Sequence, residues 1–494
     1  MRSALLDRPT QGRLTRHPVL FLVGAFLLYG MVSSLGAAFA VLVLVTLLVI
    51  MVWRYPGWSA VMLVALVPAN RFLILLIFHF GHSSALTSFA QLWKDLLIAL
   101  LTARTIDDVV LRRRPRLHYV DALVAAFIAL SLLYLIYPGD TGQVGFLDRV
   151  LGFRADTYFM FAYFVGRGLV LQRRHVRALL TWFIPGTVLC AIVAVAQFAA
   201  ANWFNDFFNK LGYAAFINTQ SAFGDADVIR LRGIVGANLP RASSLLLGDL
   251  ALAYFSILAI AVGTALLVTS SRGRARWGYG AFTALAFAAM VLTITRSAVI
   301  AATVMLLFMA LVTRGWRPVG AVLLVLLIAG LVAIVSGFIP ITAIGPLLNL
   351  HEASVQGHAG AIHSGFSLLG QAPFGRGLGT TGTIGQRVFG SAAITTENWF
   401  LAIALELGVV PSLLFIASSI GVAIEAYISF RRVRDESLRR IALVVLGGSL
   451  GFFVLGNMLS VWEVPVISMA FWLLAGIAVG ARETEADPEY RASP

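Results

Sequence analysis

Cysteine, lysine and carboxylate are all scarce in this chain of 494 residues. Its one cysteine, Cys190, lies in an apolar run, so no disulfide can form within the chain and no cysteine metal site exists. Lys94 and Lys210 are the only lysines. Charged residues make up 12% of the chain, against roughly 25% in an average soluble domain, which argues against a conventional globular protein. His351, His358 and His363 do not fall at a metal-ligand spacing. There is no acidic cluster to hold a metal and no internal repeat of fixed period. No basic stretch is interleaved with aromatics, so the net charge of +14 is not read as a nucleic-acid footprint.

What is abundant is hydrocarbon. Hydrophobic residues reach 59% and the mean hydropathy is +0.89. A membrane span needs about 20 apolar residues, and about 12 to 14 such runs can be counted. In lipid every backbone polar group needs an internal partner, so the runs are expected to be helices and the fold an all-α polytopic membrane protein. The run 58–78 is interrupted at Pro68-Ala-Asn-Arg71, which predicts two half-helices. The first run, 18–34, follows a basic start and continues directly into a second, so it is read as an uncleaved span.

Arginine sets the topology. Clusters occupy every second gap between runs: Arg2 to Arg16, Arg54, Arg104 with Arg112 to Arg116, Arg173 to Arg177, Arg272 to Arg276, Arg314 with Arg317, and Arg431 to Arg440. Positive charge stays on the cytoplasmic side, which predicts both termini inside. The surplus also suits contact with anionic membrane lipids. The chain reads as one integral membrane domain over 1–494, with two long loops, 201–240 and 339–397, on the outer face.

Both outer loops carry candidate chemistry. In the first, Trp203, Phe204, Phe207, Phe208 and Leu211 recur at helical spacing, as in a helix lying in the interface. Arg230-Leu-Arg-Gly233 follows, and then Arg241, where the chain re-enters the membrane. A guanidinium matches a phosphate bidentately, and an arginine at a membrane boundary needs a partner or a purpose. Arg296 sits in a tight turn between two spans on the same outer face, where it adds nothing to charge-guided insertion. Asp249 is the expected counter-ion of Arg241. In the second loop, Ile362, Phe366 and Leu369 predict a short surface helix, and Phe374-Gly-Arg-Gly-Leu-Gly379 is glycine-dense enough for backbone N–H groups to approach a ligand. The loop ends at Glu397-Asn398, at the mouth of the next span. Glu397 there is either a helix cap or a general base exposed to substrate. Glu406, Gly408 and Pro411 predict a break shortly after.

Four of these stretches together resemble the O-antigen ligase and O-antigen polymerase superfamily of lipid-linked polysaccharide glycosyltransferases. Arg241-Ala-Ser-Ser-Leu245 is similar to that family's R-x-x-x-L element, and Thr295-Arg296 to its S/T-R element. Leu369 to Gly379 resembles its P-x-x-G-x-G segment. Glu397-Asn398, nine residues and Gly408 resemble its His-Asn, nine residues, Gly pattern, with glutamate in place of the usual histidine and Pro411 as the final residue. His358 stands where many members carry arginine.

The resemblance implies a GT-C-like fold in a bacterial inner membrane and a donor glycan on undecaprenyl diphosphate. It implies an inverting transfer with no metal or other cofactor. Glu397 would be the base, and Arg241 and Arg296 the diphosphate clamp. Arg230, Arg232, His358, Arg376, Arg387 and Asn398 are further substrate-binding candidates. The flippase and the chain-length regulator of the same pathway would be partners. A polymerase of repeat units is favoured, because the ligase-type histidine is missing and the outer loops are weakly charged. The alternatives are a ligase that moves the chain to lipid A core or protein and, further off, a polytopic transporter.

Overall fold

The computed structural model describes residues 36–111, 117–136, 144–218, 228–234, 237–271, 273–335, 353–390, 393–394 and 396–492. The expected first run, 18–34, lies outside them. Among the described residues eight helices are long and apolar enough to cross a membrane: Ala37–Arg54, Tyr119–Ile136, Arg173–Ala199, Asp249–Thr269, Arg296–Thr313, Val409–Arg432, Glu436–Gly456 and Pro465–Ala486. The broken pair Pro56–Ala65 and Val67–Gly81, bent by 47°, makes a ninth if counted as one span.

That is fewer than the 12 to 14 apolar runs, for reasons visible in the chain. The run 88–104 belongs to a helix, Ser84–Leu111, that carries Lys94, Asp95, Arg104, Asp107 and Asp108. The run 155–171 is split at Asp156 and Thr157 into Phe146–Asp156, a short 3-10 turn and Phe161–Gly168, none long enough to span. The expected break at Pro68-Ala-Asn-Arg71 is present. Proline cannot donate a backbone hydrogen bond, and a 3-10 turn at Val67–Ala69 separates the two half-helices.

Helix Asp249–Thr269 is the hub of the bundle, 94% buried, with Pro465–Ala486 next at 89%. Ala37–Arg54 is only 17% buried and presents its apolar surface outward, as a lipid-facing helix does. Gly166 and Gly476 let Phe161–Gly168 and Pro465–Ala486 touch backbone to backbone. A β-carbon at either would come within 2.0 Å of a carbonyl oxygen of the other helix.

The first long loop is not all helical. The aromatic-rich helix is there, as Ala201–Lys210, with Trp203 and Phe207 stacked and exposed and Phe208 buried. It is followed by a two-stranded antiparallel hairpin, Arg230–Ile234 with Ala237–Arg241, in which Arg230 pairs with Arg241 and Arg232 with Leu239. Among the described residues this one small sheet accompanies an otherwise helical, all-α fold. The second loop, in its described part, holds helices Ala353–Gln371 and Gly382–Phe389. The first contains the predicted Ile362, Phe366 and Leu369, but runs for 19 residues.

Contacts sort the molecule into two ends. At one, Tyr134 donates to Phe374 O, Asp148 pairs with Arg387, and Phe78 packs on Phe216. At the other, Arg167 pairs with Glu483, Arg482 with Glu425 and Arg173 with Asp435.

Candidate functional site

Arg241 ends the hairpin, and Arg296 opens the helix Arg296–Thr313 some 50 residues later. The structure brings the two stretches together. Arg241 Nε donates to the Thr293 carbonyl at 3.0 Å, and Arg241 Nη2 to Thr295 Oγ1 at 3.2 Å. The backbone N–H of Ala242 donates to Leu292 O. Asp249 Oδ2 lies 2.7 Å from Arg241 Nε, which is the counter-ion role expected of it. Arg241 is thus half-buried and tied to the turn that carries Arg296. Behind it, Gln197 Oε1 accepts from the backbone N–H groups of Ser243 and Ser244. Gln197 is a buried amide inside a span, and it fixes the Arg241-to-Leu245 stretch.

Two features mark the Arg296 turn as more than a connector. Ile294, between the two threonines, has φ 54°. A β-branched residue in the left-handed region costs about 1–2 kcal/mol, and such strain gathers at functional sites. Arg296 is also the first residue of its helix. A cation there faces the positive end of the helix dipole, an unfavourable place that suits an anion instead.

Glu397 is exposed, and it is not the helix cap. That role is filled one residue on: Asn398 Oδ1 accepts from the Leu401 N–H at 3.0 Å, and Asn398 Nδ2 donates to Asn457 O. Asn398, expected to bind substrate, is occupied in holding two helix ends together. Glu397 is left exposed at the same mouth. Tyr254 is buried in the hub helix, one turn beyond Asp249.

The remaining candidates scatter. Arg387 pairs with Asp148 at 3.0 Å and is half exposed. Arg230 is exposed at the start of the hairpin. Arg232 lies in the same strand and His358 within Ala353–Gln371, but their side chains are outside the described part. Arg376 is half-buried, and its backbone N–H donates to Leu405 O.

The glycine-rich loop turns inward. Gly375, Gly377 and Gly379 all have positive φ, a conformation that glycine alone adopts without strain. Their loop packs on the break between Trp399–Leu407 and Val409–Arg432, where Gly408 has φ 89°. A β-carbon on Gly375 would lie 2.5 Å from Glu406 O. The backbone N–H groups expected to cradle a ligand are used on the protein itself. Gly377 N–H donates to Glu406 O, and Glu406's carboxylate accepts from Gly379 N–H, Thr381 N–H and Thr381 Oγ1–H, at 3.0, 2.7 and 2.8 Å. Glu406 is the ligand of that loop.

Sequence reasoning missed a second set of polar residues beside this one. Arg71, Asn70, Gln91, Lys94, Arg154 and Glu463 line a cavity of about 190 Å³. Asp95 lies 2.7 Å from Arg154 and 3.7 Å from Lys94. Glu463 also lines a smaller cavity with Asp156 and Glu406. Burial first, and then the charge of Glu406, raise the Glu463 carboxyl to about 7, although a hydrogen bond with Ser460 opposes this. The turn carrying Glu463 is held by an aromatic cluster: Trp462 stacks on Phe159 at 5.8 Å and packs on Phe415 and Trp472. A signal for this site is present in the sequence. Lys94-Asp95 is a charged pair inside an apolar run, which is a functional hint by itself.

Neither a protein-family model nor a curated protein matches the chain.

Proposed function

We propose that this protein is a membrane glycosyltransferase that joins undecaprenyl-diphosphate-linked glycan units into a surface polysaccharide on the extracytoplasmic face of a bacterial inner membrane. The observation that carries the reading is the tie of Arg241 to the turn that leads into Arg296, through the Thr293 carbonyl and Thr295 Oγ1. Both stretches are among those on which the resemblance rests, and they come from distant parts of the chain.

The chemistry is a single displacement. An acceptor sugar hydroxyl attacks the anomeric carbon of the donor. The new glycosidic C–O bond forms as the bond to the diphosphate oxygen breaks, and the electron pair leaves on the diphosphate. Glu397 takes the hydroxyl proton. Arg296 faces the departing charge, where a fixed guanidinium stabilises the transition state without reorganising. Arg241 is tied to Asp249 and to both threonines. It is better placed to position the Arg296 turn than to close on the diphosphate alone.

Purified protein supplied with lipid-linked repeat units alone is expected to yield a ladder of longer lipid-linked chains, unaffected by a metal chelator. If one finished chain is transferred whole, and only after a lipid A core or protein acceptor is added, the protein is a ligase and the polymerase reading is wrong. Labelled glycan crossing the membrane without any transfer would make it a transporter.

A further inference from the structure

We infer that the chamber lined by Arg71, Lys94 and Arg154 is a second anion site, built for a phosphate-class group and separate from the cation at Arg296. That a lipid-linked diphosphate fills it rests on the glycosyltransferase reading; that a phosphate-class anion fills it does not.

Three observations carry this. The first is where the cations come from. Arg71 follows the span break at Pro68, Lys94 lies in the middle of Ser84–Leu111, and Arg154 ends Phe146–Asp156. Three separate elements turn a positive group toward one cavity of about 190 Å³, which is room for a small anion with its waters. Like charges brought together below the surface repel, and they persist only where something offsets them.

The second is the incomplete pairing. Asp95 answers Arg154 at 2.7 Å and Lys94 at 3.7 Å, and Lys94 Nζ also donates to Gln91 O. Arg71 has no ion pair with a carboxylate among the described residues. The nearby Asp249 is held by Arg241. Arg71 Nη1 lies against Gly248, 3.4 Å from where a β-carbon would stand, so its guanidinium borders the Arg241 site yet opens into the chamber. A planar fork with free donors is the group that matches phosphate oxygens.

The third is the rest of the lining. Asn70 Oδ1 accepts from the Trp93 indole at 2.9 Å, which fixes that amide at the chamber wall. The one carboxylate in the lining, Glu463, is held near 7 by burial and by Glu406, so near neutral pH much of it is uncharged and able to donate a hydrogen bond.

The test uses the purified full chain in phosphatidylcholine nanodiscs, with inorganic diphosphate as probe and citrate, an anion without phosphorus, as control. An Arg296→Ala background removes the cation of the proposed transfer site. Diphosphate should still bind there and raise thermal stability, while citrate should do neither. Adding Arg71→Gln, or Lys94→Met, should weaken diphosphate at least about 10-fold, the scale of one lost charge-assisted hydrogen bond. If either combination fails to purify, Arg71→Lys decides: keeping the charge but losing the fork should still weaken binding several-fold. If Arg296→Ala alone abolishes binding, or if Arg71→Gln and Lys94→Met leave it unchanged, there is no second site. Repeating the titration with phosphatidylglycerol in the disc separates the sources. Competition by that lipid assigns the chamber to a headgroup, and its absence assigns it to a soluble or carrier-linked phosphate. Because the probe contains no sugar, failure here leaves glycosyl transfer standing. Tight Arg71-dependent binding by a protein that transfers no sugar would instead overturn the proposed function alone.

Discussion

The two ends of this bundle spend arginine differently. At the end holding the C-terminal residues, the cations are answered closely. Arg167 meets Glu483 through two nitrogens, at 2.7 and 2.9 Å, and also lies 3.5 Å from Asp121. Glu425 is shared by Arg482 and His118, and Asp435 by Arg173 and the Tyr490 hydroxyl. Glu485 accepts from the backbone N–H groups of Arg434 and Asp435. This is a closely paired ionic network, in which buried members such as Arg167 and Glu425 are answered by opposite charge. At the opposite end Arg71, Lys94 and Arg154 line a chamber with Glu463 in its wall and Asp95 beside two of them, and Arg241 pairs with Asp249 next to the strained turn. On the proposals above, the cations at the chamber serve binding, and those closed into pairs serve as scaffold.

Variants at the two ends should therefore fail in different ways. The largest effect is expected for Arg296→Ala and Glu397→Gln in the transfer assay. Each should lower the rate per folded molecule by about 10²-fold or more, with expression retained. Arg296→Lys should rescue poorly, because an ammonium cannot reproduce the planar fork. A Glu397→Gln enzyme near wild-type rate would remove the base from the mechanism, and Asn398 already accounts for the cap.

At the paired end, Glu483→Gln leaves the buried Arg167 a weaker partner. Removing one member of a buried pair costs about 3–5 kcal/mol. Since Glu483 is partly exposed, the lower end of that range or less is expected, read as a fall in melting temperature with the rate per folded molecule unchanged. A drop in rate without a loss of stability would erase the distinction between the ends.

A third expectation uses pH. Glu463 titrates near 7 in the fold against an ordinary value of 4.5, a raised acid. Its protonated form is the favoured one inside, so its share of stability is complete below about 4.5 and is lost as pH rises through 7. Glu463 lines one cavity with Asp156 and Glu406 and another with Arg71, Lys94 and Arg154, and Ser460 hydrogen-bonds to it. Burial, followed by the charge of Glu406, raises Asp156 as well, so the two acids act in the same direction. Glu463→Gln should therefore gain stability relative to wild type as pH climbs from 5 to 8. A constant difference across that range would contradict the shift.

The smallest perturbation tests sidedness. Thr383 is exposed on the short helix Gly382–Phe389, and Cys190 is buried. Thr383→Cys with Cys190 replaced should react with an impermeant thiol reagent in intact cells. Reaction only after lysis would invert the proposed orientation.

Much of the architecture was legible because it follows from local chemistry. Proline at 68 and glycine at 408 break helices by local chemistry alone, and the aromatic spacing that starts at Trp203 makes one. The motif residues Arg241 and Arg296 could be chosen because boundary arginines stand out against apolar runs. What stayed hidden depends on distant partners. Nothing in Arg230-Leu-Arg-Gly233 announces a strand, since the strand exists only through its pairing with Ala237–Arg241. Gly375 to Gly379 look like a ligand cradle until Glu406, some 27 residues on, is seen filling it. Arg71, Arg154 and Glu463 are each unremarkable in sequence, and only the fold gives them one cavity.

The most direct measurement compares one variant from each end in one assay. Arg296→Ala and Glu483→Gln, purified in equal folded amounts, would each be given lipid-linked repeat units, and the initial rate of chain lengthening recorded. The account predicts that Arg296→Ala falls about 10²-fold or more while Glu483→Gln stays within about two-fold of wild type per folded molecule. Equal losses in both, or a normal rate from Arg296→Ala, would contradict it.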